Sequence, residues 1–121
     1  MYVFNAELVR VIDGDTIVFN IDLGFDIWIH KEHVRLARIN CPETRTLDLN
    51  EKRKGLEAKA FVSEVVEDCL NSGGKIVLST FKDSGKFGRY IAYVILEDKN
   101  ANQVNLNSLI VENNHGVYVD Y

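Results

Sequence analysis

The turn at residues 12–16 reads Ile-Asp-Gly-Asp-Thr and carries two carboxylates, Asp13 and Asp15. Oxygen ligands of this kind are the ones that hard divalent cations prefer. An Asp-Gly pair between β-forming residues is also a strong hairpin signal. Taken alone, an ordinary β-hairpin is therefore enough to explain the segment.

Residues 35–44 run from Arg35 into a turn fixed by Pro42, and Glu43 follows directly. A guanidinium is always charged and donates two parallel hydrogen bonds, which suits phosphate oxygens. A carboxylate within reach of one water can act as a general base. Without other support, this segment is typical of a solvated strand end.

Residues 86–89 read Lys-Phe-Gly-Arg and place two cations, Lys86 and Arg89, and the ring of Phe87 around a glycine. By itself the segment is typical of a surface hairpin. Combined with the first two segments, it completes a set for phosphodiester hydrolysis. The transition state of that reaction concentrates charge on its equatorial oxygens, which guanidinium groups and a hard cation stabilise.

β-Rich segments surround these residues. An alternating apolar and basic pattern over Val34–Asn40 predicts a half-buried strand with Arg35 on the face opposite Val34 and Leu36. The polar residues 41–54 predict a loop. Other predicted strands are Val3–Ile12, Asp15–Asp22, a stretch that begins at Ile27, Ile76–Phe81, Tyr90–Glu97 and a short Val117–Val119.

Two helices are predicted. Apolar residues at three- and four-residue spacing over Gly55–Leu70 give one amphipathic face, and Asn71–Gly74 ends the helix. A second, short helix is predicted over Val104–Asn113, with Asn114 as a left-handed stop. The order predicts a mainly β, α+β fold. It is a five-stranded OB-type barrel with one helix inserted after strand 3 and a second near the C-terminus.

Length and composition predict one domain over residues 1–121, with 46% hydrophobic and 26% charged residues. The net charge of −4 argues against tight, indiscriminate binding of nucleic acid. Residues 31–54, however, hold seven Lys/Arg against four Asp/Glu, and residues 75–89 hold four against one. These two basic segments flank the candidate catalytic residues. They predict a local basic patch that binds an anionic partner with salt-sensitive affinity.

Five stretches together resemble the staphylococcal nuclease (thermonuclease) family. They are VRVIDGDT, VRLARINCPET, GLEAKAF, KFGRYIAYV and VNLNSL, in this order from about Val9 to Tyr118. The resemblance implies an OB-type barrel and a metal-dependent phosphodiesterase acting on DNA, RNA or both, with single strands preferred.

The resemblance also implies a role for each matching residue. Arg35 and Arg89 would bracket the scissile phosphate, and Glu43 would deprotonate or orient the attacking water. Lys86 and Phe87 would bind substrate. The implied metal ligands, with Ca²⁺ expected and Mg²⁺ or Mn²⁺ as alternatives, are Asp15, Asn40 and the backbone carbonyl of Cys41.

Asn40 is the main departure from the family, whose active members usually carry Asp there. Asn offers a carbonyl oxygen but removes one negative charge, and ligand charge count controls Ca²⁺ affinity, so we expect weak metal binding. The alternative is a degenerate module that binds single-stranded nucleic acid or protein without cutting. A protein-interaction domain with only structural likeness is a more distant third hypothesis.

Further expectations concern aromatic residues and cellular context. Any base can stack on an aromatic ring, so Phe87, Tyr90, Tyr93, Tyr118 and Tyr121 are candidate stacking residues. Cys41 and Cys69 are expected to be reduced thiols. With no apolar run of membrane length and no signal-like start, we expect a cytoplasmic monomer that does not bind membranes, with a mature secreted form as the alternative.

Overall fold

The computed structural model describes residues 2–81 and 89–120. Its strands are β1 (Tyr2–Asp13), β2 (Thr16–Gly24), β3 (Ile27–Leu36), β4 (Ile39–Asn40), β5 (Lys75–Thr80), β6 (Tyr90–Glu97), β7 (Gln103–Asn105) and β8 (Val117–Tyr118). Its helices are α1 (Leu49–Asn71) and α2 (Leu106–Glu112). Neither helix is both long and apolar enough to cross a membrane.

Five of these strands close into a barrel. Antiparallel ladders join β3 to β2, β2 to β1, β1 to β5 and β5 to β6, and a parallel ladder between β6 and β3 completes the ring. The helix α1 follows the third barrel strand. The predicted fold, a mainly β OB-type barrel with two helices, is therefore confirmed.

The barrel interior forms the hydrophobic core. Phe19 from β2, Leu36 from β3 and Leu78 from β5 are fully buried there, and Val62 and Val66 of α1 pack onto the same cluster. Burying each such side chain contributes about 1.5–3 kcal/mol.

The third barrel strand is shorter than the sequence predicts. β3 ends at Leu36, and a turn with Arg38 in a left-handed conformation (φ 61°) precedes the two-residue β4. The turn is fastened from within the fold, because the buried amide of Asn107 donates to the carbonyls of Ala37 (2.9 Å) and Ala92 (3.2 Å). Alternation alone does not reveal this corner.

The prediction of a loop over residues 41–54 is partly wrong, because α1 begins at Leu49. The carboxylate of Asp48 caps it by accepting from the backbone N–H groups of Asn50 and Glu51. These first turns project into solvent, with Leu49 80% exposed, so they carry no apolar periodicity. The second helix is also shorter than predicted, since residues 103–105 form β7.

Other local predictions are confirmed. The turn predicted from Asp13-Gly14 is present: β1 ends at Asp13, and Gly14 and Asp15 lead into β2. Asn114 takes the expected left-handed conformation (φ 64°). The β2–β3 hairpin turns through Phe25 and Asp26, both with positive φ (55° and 62°), as a two-residue type I′ turn requires. Phe25 is 99% exposed at this tip.

Candidate phosphate and metal site

The site lies where the β1–β2 turn meets the end of β3. Thr16 pairs with Arg35 across the β2–β3 ladder, which places Asp15 beside Arg35. The Leu36 N–H donates to the backbone carbonyl of Asp15 (2.9 Å) and secures this meeting point. Arg35 stands on the opposite strand face from the buried Val34 and Leu36, as the alternation predicts.

Asp15 is nearly buried and heavily bonded. Its Oδ2 accepts the backbone N–H of Cys41 (2.8 Å) and forms an ion pair with Arg35 Nη1 (3.1 Å). Its Oδ1 accepts the Thr16 hydroxyl (3.3 Å). A carboxylate taken out of water needs such partners to offset its lost hydration. These contacts tie the Asp15 side chain to the start of the 41–44 segment.

Arg35 connects the two residues predicted as side-chain metal ligands. Its Nη1 contacts Asp15, and its Nη2 donates to Asn40 Oδ1 (3.2 Å). Its Nη1 also lies 3.3 Å from the Asp15 carbonyl. The structure thus brings Asp15, Arg35 and Asn40 into direct contact, although they are separated by 20 and 5 positions in sequence.

Arg89 lies next to this cluster through the β3–β6 ladder. Tyr90 pairs with Val34, and Ile91 pairs with Arg35. Arg89 directly precedes β6 and lies two positions before Ile91. Strand spacing and rise then give a Cα separation of roughly 8 Å between Arg89 and Arg35.

Glu43 is exposed, and its backbone is held from two sides. Asp13 Oδ1 accepts the hydroxyl (2.6 Å) and the N–H (3.3 Å) of the next residue, Thr44. On the other side, a Cβ at Gly55 would lie 2.4 Å from the Glu43 carbonyl oxygen, so only glycine allows α1 to pack this closely. These contacts hold the loop that carries Glu43 against the β1–β2 turn.

The sequence reasoning did not single out three positioning residues: Asp13 as a clamp on Thr44, Gly55 as the contact point for Glu43, and Asn107 as the fastener of the β3–β4 corner. Asp13 was visible only as the second carboxylate of the turn. Gly55 begins one of the family-like stretches, and Asn107 lies within another. The tertiary contacts that give these residues their roles leave no local pattern.

Cys41 is buried, and burial is the main cause that raises the pKa of its thiol to about 12. The Asp15 carboxylate contributes to the raised pKa, while the Arg35 guanidinium acts in the opposite direction. Soft metal ions need a deprotonated thiolate, so this side chain remains a neutral core group. Only the backbone of Cys41 is available for polar chemistry.

The oxygen ligands of the cluster are of the type that a hard cation binds, but they carry too little negative charge for tight binding. Asp15 and Asn40 offer a carboxylate and an amide oxygen, and Cys41 offers a backbone carbonyl, all ligands that Ca²⁺ accepts. Within residues 2–81 and 89–120, however, no three His, Cys, Asp or Glu side chains gather as a metal-binding group. With Arg35 on the same carboxylate, the set favours weak binding.

Two predicted substrate-binding residues, Lys86 and Phe87, lie outside the described residues, and so does Tyr121. A polar cleft of about 440 Å³ adjoins the cluster, with Asn40 and Cys41 in its wall. Its opposite walls come from the first turns of α1, including Lys54, and from the turn that contains Asn114.

The family model of the staphylococcal nuclease homologues matches residues 33–117, more than half of the chain. The chain belongs to this family. The matched part contains Arg35, Asn40, Glu43 and Arg89. Asp15 lies before it and contacts it through the ion pair with Arg35 and the hydrogen bond from the Cys41 N–H. None of the curated proteins matches the chain significantly.

Domains of the staphylococcal nuclease family bind nucleic acids, and the family is in general one of phosphodiesterases. Membership therefore indicates a nuclease-type or nucleic-acid-binding function.

Proposed function

We propose that the protein is a metal-dependent nuclease that hydrolyses phosphodiester bonds in DNA, RNA or both, preferably in single strands. The observation that carries this proposal is the contact set of Asp15, Arg35 and Asn40. Arg89, which directly precedes β6, would supply the second cationic group.

In this proposal Arg35 and Arg89 hold the scissile phosphate and stabilise the charge that develops on its oxygens. Arg35 is suited to this role because the fixed Asp15 carboxylate and the Asn40 amide orient its guanidinium before substrate arrives. Preorganised donors cost no rearrangement during the reaction, and losing one typically lowers the rate by about 10²–10³.

Glu43 would orient or deprotonate the attacking water. The Asp13–Thr44 hydrogen bonds and the close packing on Gly55 support this role, because they fix the loop while leaving the carboxylate exposed. Lys86 and Phe87 complete the proposal as substrate-binding residues.

Asp15, Asn40 and the Cys41 carbonyl would hold the cation, with Ca²⁺ expected and Mg²⁺ or Mn²⁺ as alternatives. A bound hard cation would supply Lewis-acid stabilisation of phosphoryl oxygens. The single carboxylate and the nearby guanidinium support weak affinity.

The test is cleavage of labelled single-stranded DNA and RNA by the purified protein with Ca²⁺, Mg²⁺ or Mn²⁺, and again with chelator. We expect metal-dependent cleavage that falls at least about 100-fold in Arg35→Lys, because Lys lacks the planar fork that contacts both neighbours. Arg53→Lys is the matched control, since Arg53 makes only exposed contacts on α1. Undetectable cleavage with all three metals would refute the proposal.

A binding module without catalysis is the second candidate. The observation that favours it is that Arg35 already contacts an oxygen of both predicted side-chain ligands, so a cation must compete with it. Under this hypothesis the protein binds oligonucleotides with equal affinity in Ca²⁺ and in chelator and cleaves none. Strong metal-dependent cleavage by the natural chain would exclude it.

A further inference from the structure

Arg38 occupies the corner between β3 and β4 with a left-handed backbone (φ 61°). Glycine takes this conformation freely and asparagine takes it readily, whereas a long side chain crowds the following carbonyl and costs free energy. The corner would therefore be more stable with another residue. A residue that keeps a strained backbone in this way points to a function of its side chain.

The backbone around Arg38 is held by contacts that do not involve the Arg38 side chain. The Ala37 N–H donates to the Ala92 carbonyl (2.8 Å), and the Arg38 carbonyl accepts the Val119 N–H (2.9 Å). The buried Asn107 amide donates to the Ala37 carbonyl (2.9 Å). The corner therefore does not depend on the guanidinium for its shape, and the guanidinium extends from a fixed backbone.

Arg38 projects from the same side of the chain as Asn40. Ala37 and Ile39 are 1% and 0% exposed, whereas Arg38 and Asn40 are both exposed. Two residues separated by one other have Cα atoms at most roughly 7 Å apart. Asn40 in turn accepts a hydrogen bond from Arg35 Nη2 (3.2 Å). The exposed Arg38 thus lies beside a residue that directly contacts the proposed phosphate-binding group.

The positive charge of Arg38 is available to a ligand. Within residues 2–81 and 89–120, the ion pairs use Arg35, Arg53 and Lys75, and none uses Arg38. No Asp or Glu occurs between Val34 and Asn40 in the chain. A guanidinium donates two parallel hydrogen bonds to a phosphate and is always charged. A phosphate is therefore the ligand group that suits this position.

We propose that Arg38 binds the phosphate next to the scissile one on the same strand. Arg35 and Arg38 then contact successive phosphates, with Asn40 beside both. The inference rests on the proposed function, because it takes nucleic acid as the ligand. It adds that full affinity requires a strand with at least two consecutive phosphates.

The test measures binding of a fluorescein-labelled 12-nucleotide single strand by anisotropy over a series of salt concentrations, in chelator so that no metal-dependent cleavage occurs. Arg38→Asn removes the charge and suits the left-handed backbone, whereas Arg38→Lys keeps the charge. Lys99→Asn is the matched control: Lys99 is exposed in the turn after β6, while Arg35 pairs with Ile91 near the other end of that strand. Urea unfolding of each variant reports the stability of the fold.

We expect Arg38→Asn to bind about fivefold more weakly, as for the loss of one exposed ion pair. The slope of log K against log salt should become shallower by about 0.7, the value for one phosphate contact on a single strand. Arg38→Lys should keep the slope of the natural chain, and Lys99→Asn should bind as the natural chain does. The urea midpoint of Arg38→Asn should equal or exceed that of the natural chain, because the backbone strain is relieved.

Competition by short unlabelled strands separates the two phosphates. A dinucleoside monophosphate carries one phosphate, so it should bind the natural chain and Arg38→Asn equally. A trinucleoside diphosphate carries two, so it should bind Arg38→Asn about fivefold more weakly than the natural chain.

Four results would overturn the inference. Unchanged affinity and salt slope in Arg38→Asn would remove Arg38 from the site, while the proposed function stands. A lower urea midpoint in Arg38→Asn, or an equal loss of binding in Arg38→Lys, would show a structural role instead. An equal loss with the dinucleoside monophosphate would place Arg38 on the scissile phosphate. Failure of the natural chain to bind any strand or to cut one would refute the proposed function together with this inference.

Discussion

Asn40→Asp is the substitution that most sharply tests the proposed metal site. It restores a second carboxylate at a position whose side-chain oxygen already lies 3.2 Å from Arg35 Nη2. Asn and Asp have nearly the same shape and size, so a difference in metal affinity reports the effect of the added negative charge. Asn40 is exposed, and the dielectric of water is therefore the appropriate choice for an estimate.

Two opposing energies set the expected magnitude. A unit charge about 4 Å from another contributes about 1 kcal/mol in water, and a divalent cation doubles this to about 2 kcal/mol. The new carboxylate also attracts Arg35 in the metal-free protein, which offsets about 1 kcal/mol. The net gain is about 1 kcal/mol, or roughly a fivefold lower Kd for Ca²⁺.

The assay is calorimetric titration of Ca²⁺ into the natural chain and the variant, followed by cleavage of single-stranded DNA at subsaturating Ca²⁺. Asn114→Asp is the matched control, because Asn114 lines the same cleft as Asn40 and its substitution by Asp adds the same charge. The reasoning fails if Asn40→Asp binds Ca²⁺ no more tightly than the natural chain, or if Asn114→Asp gains as much.

Three other substitutions test the frame around the site. Gly55→Ala should destabilise the protein by about 1–3 kcal/mol in urea unfolding, since its Cβ would meet the Glu43 carbonyl oxygen at 2.4 Å; an unchanged midpoint would contradict this packing. Asp13→Ala should lower kcat at least about tenfold with little change in KM, whereas Asp13→Asn, which keeps an acceptor for Thr44, should lose less. Burial raises the pKa of the Cys41 thiol from 9.0 to about 12. Above pH 9 the thiol therefore ionises in the unfolded chain but not in the folded one, which favours unfolding. The folded state should lose stability between about pH 9 and 12, and Cys41→Ala should lose less over that range in urea melts at a series of pH values.

Much of the fold follows from local patterns in the sequence. Alternation gave the outward side of Arg35, and the Asp-Gly turn, the amphipathic helix from Gly55 and the left-handed Asn114 are all present. The start of α1 was missed because its first turns bury no apolar face and are specified by the cap at Asp48.

The corner at Ala37–Arg38 was missed for a different reason. It depends on Asn107, which is 70 residues away in sequence from Ala37. Periodicity describes one segment at a time, so it cannot register a hydrogen bond that arrives from another element.

The sequence by itself determined which residue types are available, namely the carboxylate of Asp15, the guanidinium groups of Arg35 and Arg89, and an amide rather than a carboxylate at residue 40. Only the tertiary structure decided that Arg35 contacts both Asp15 and Asn40, and that Asp13 holds the loop of Glu43. The physical reason is barrel closure: strand registers set across β1, β2, β3 and β6 bring together groups that local propensity cannot relate.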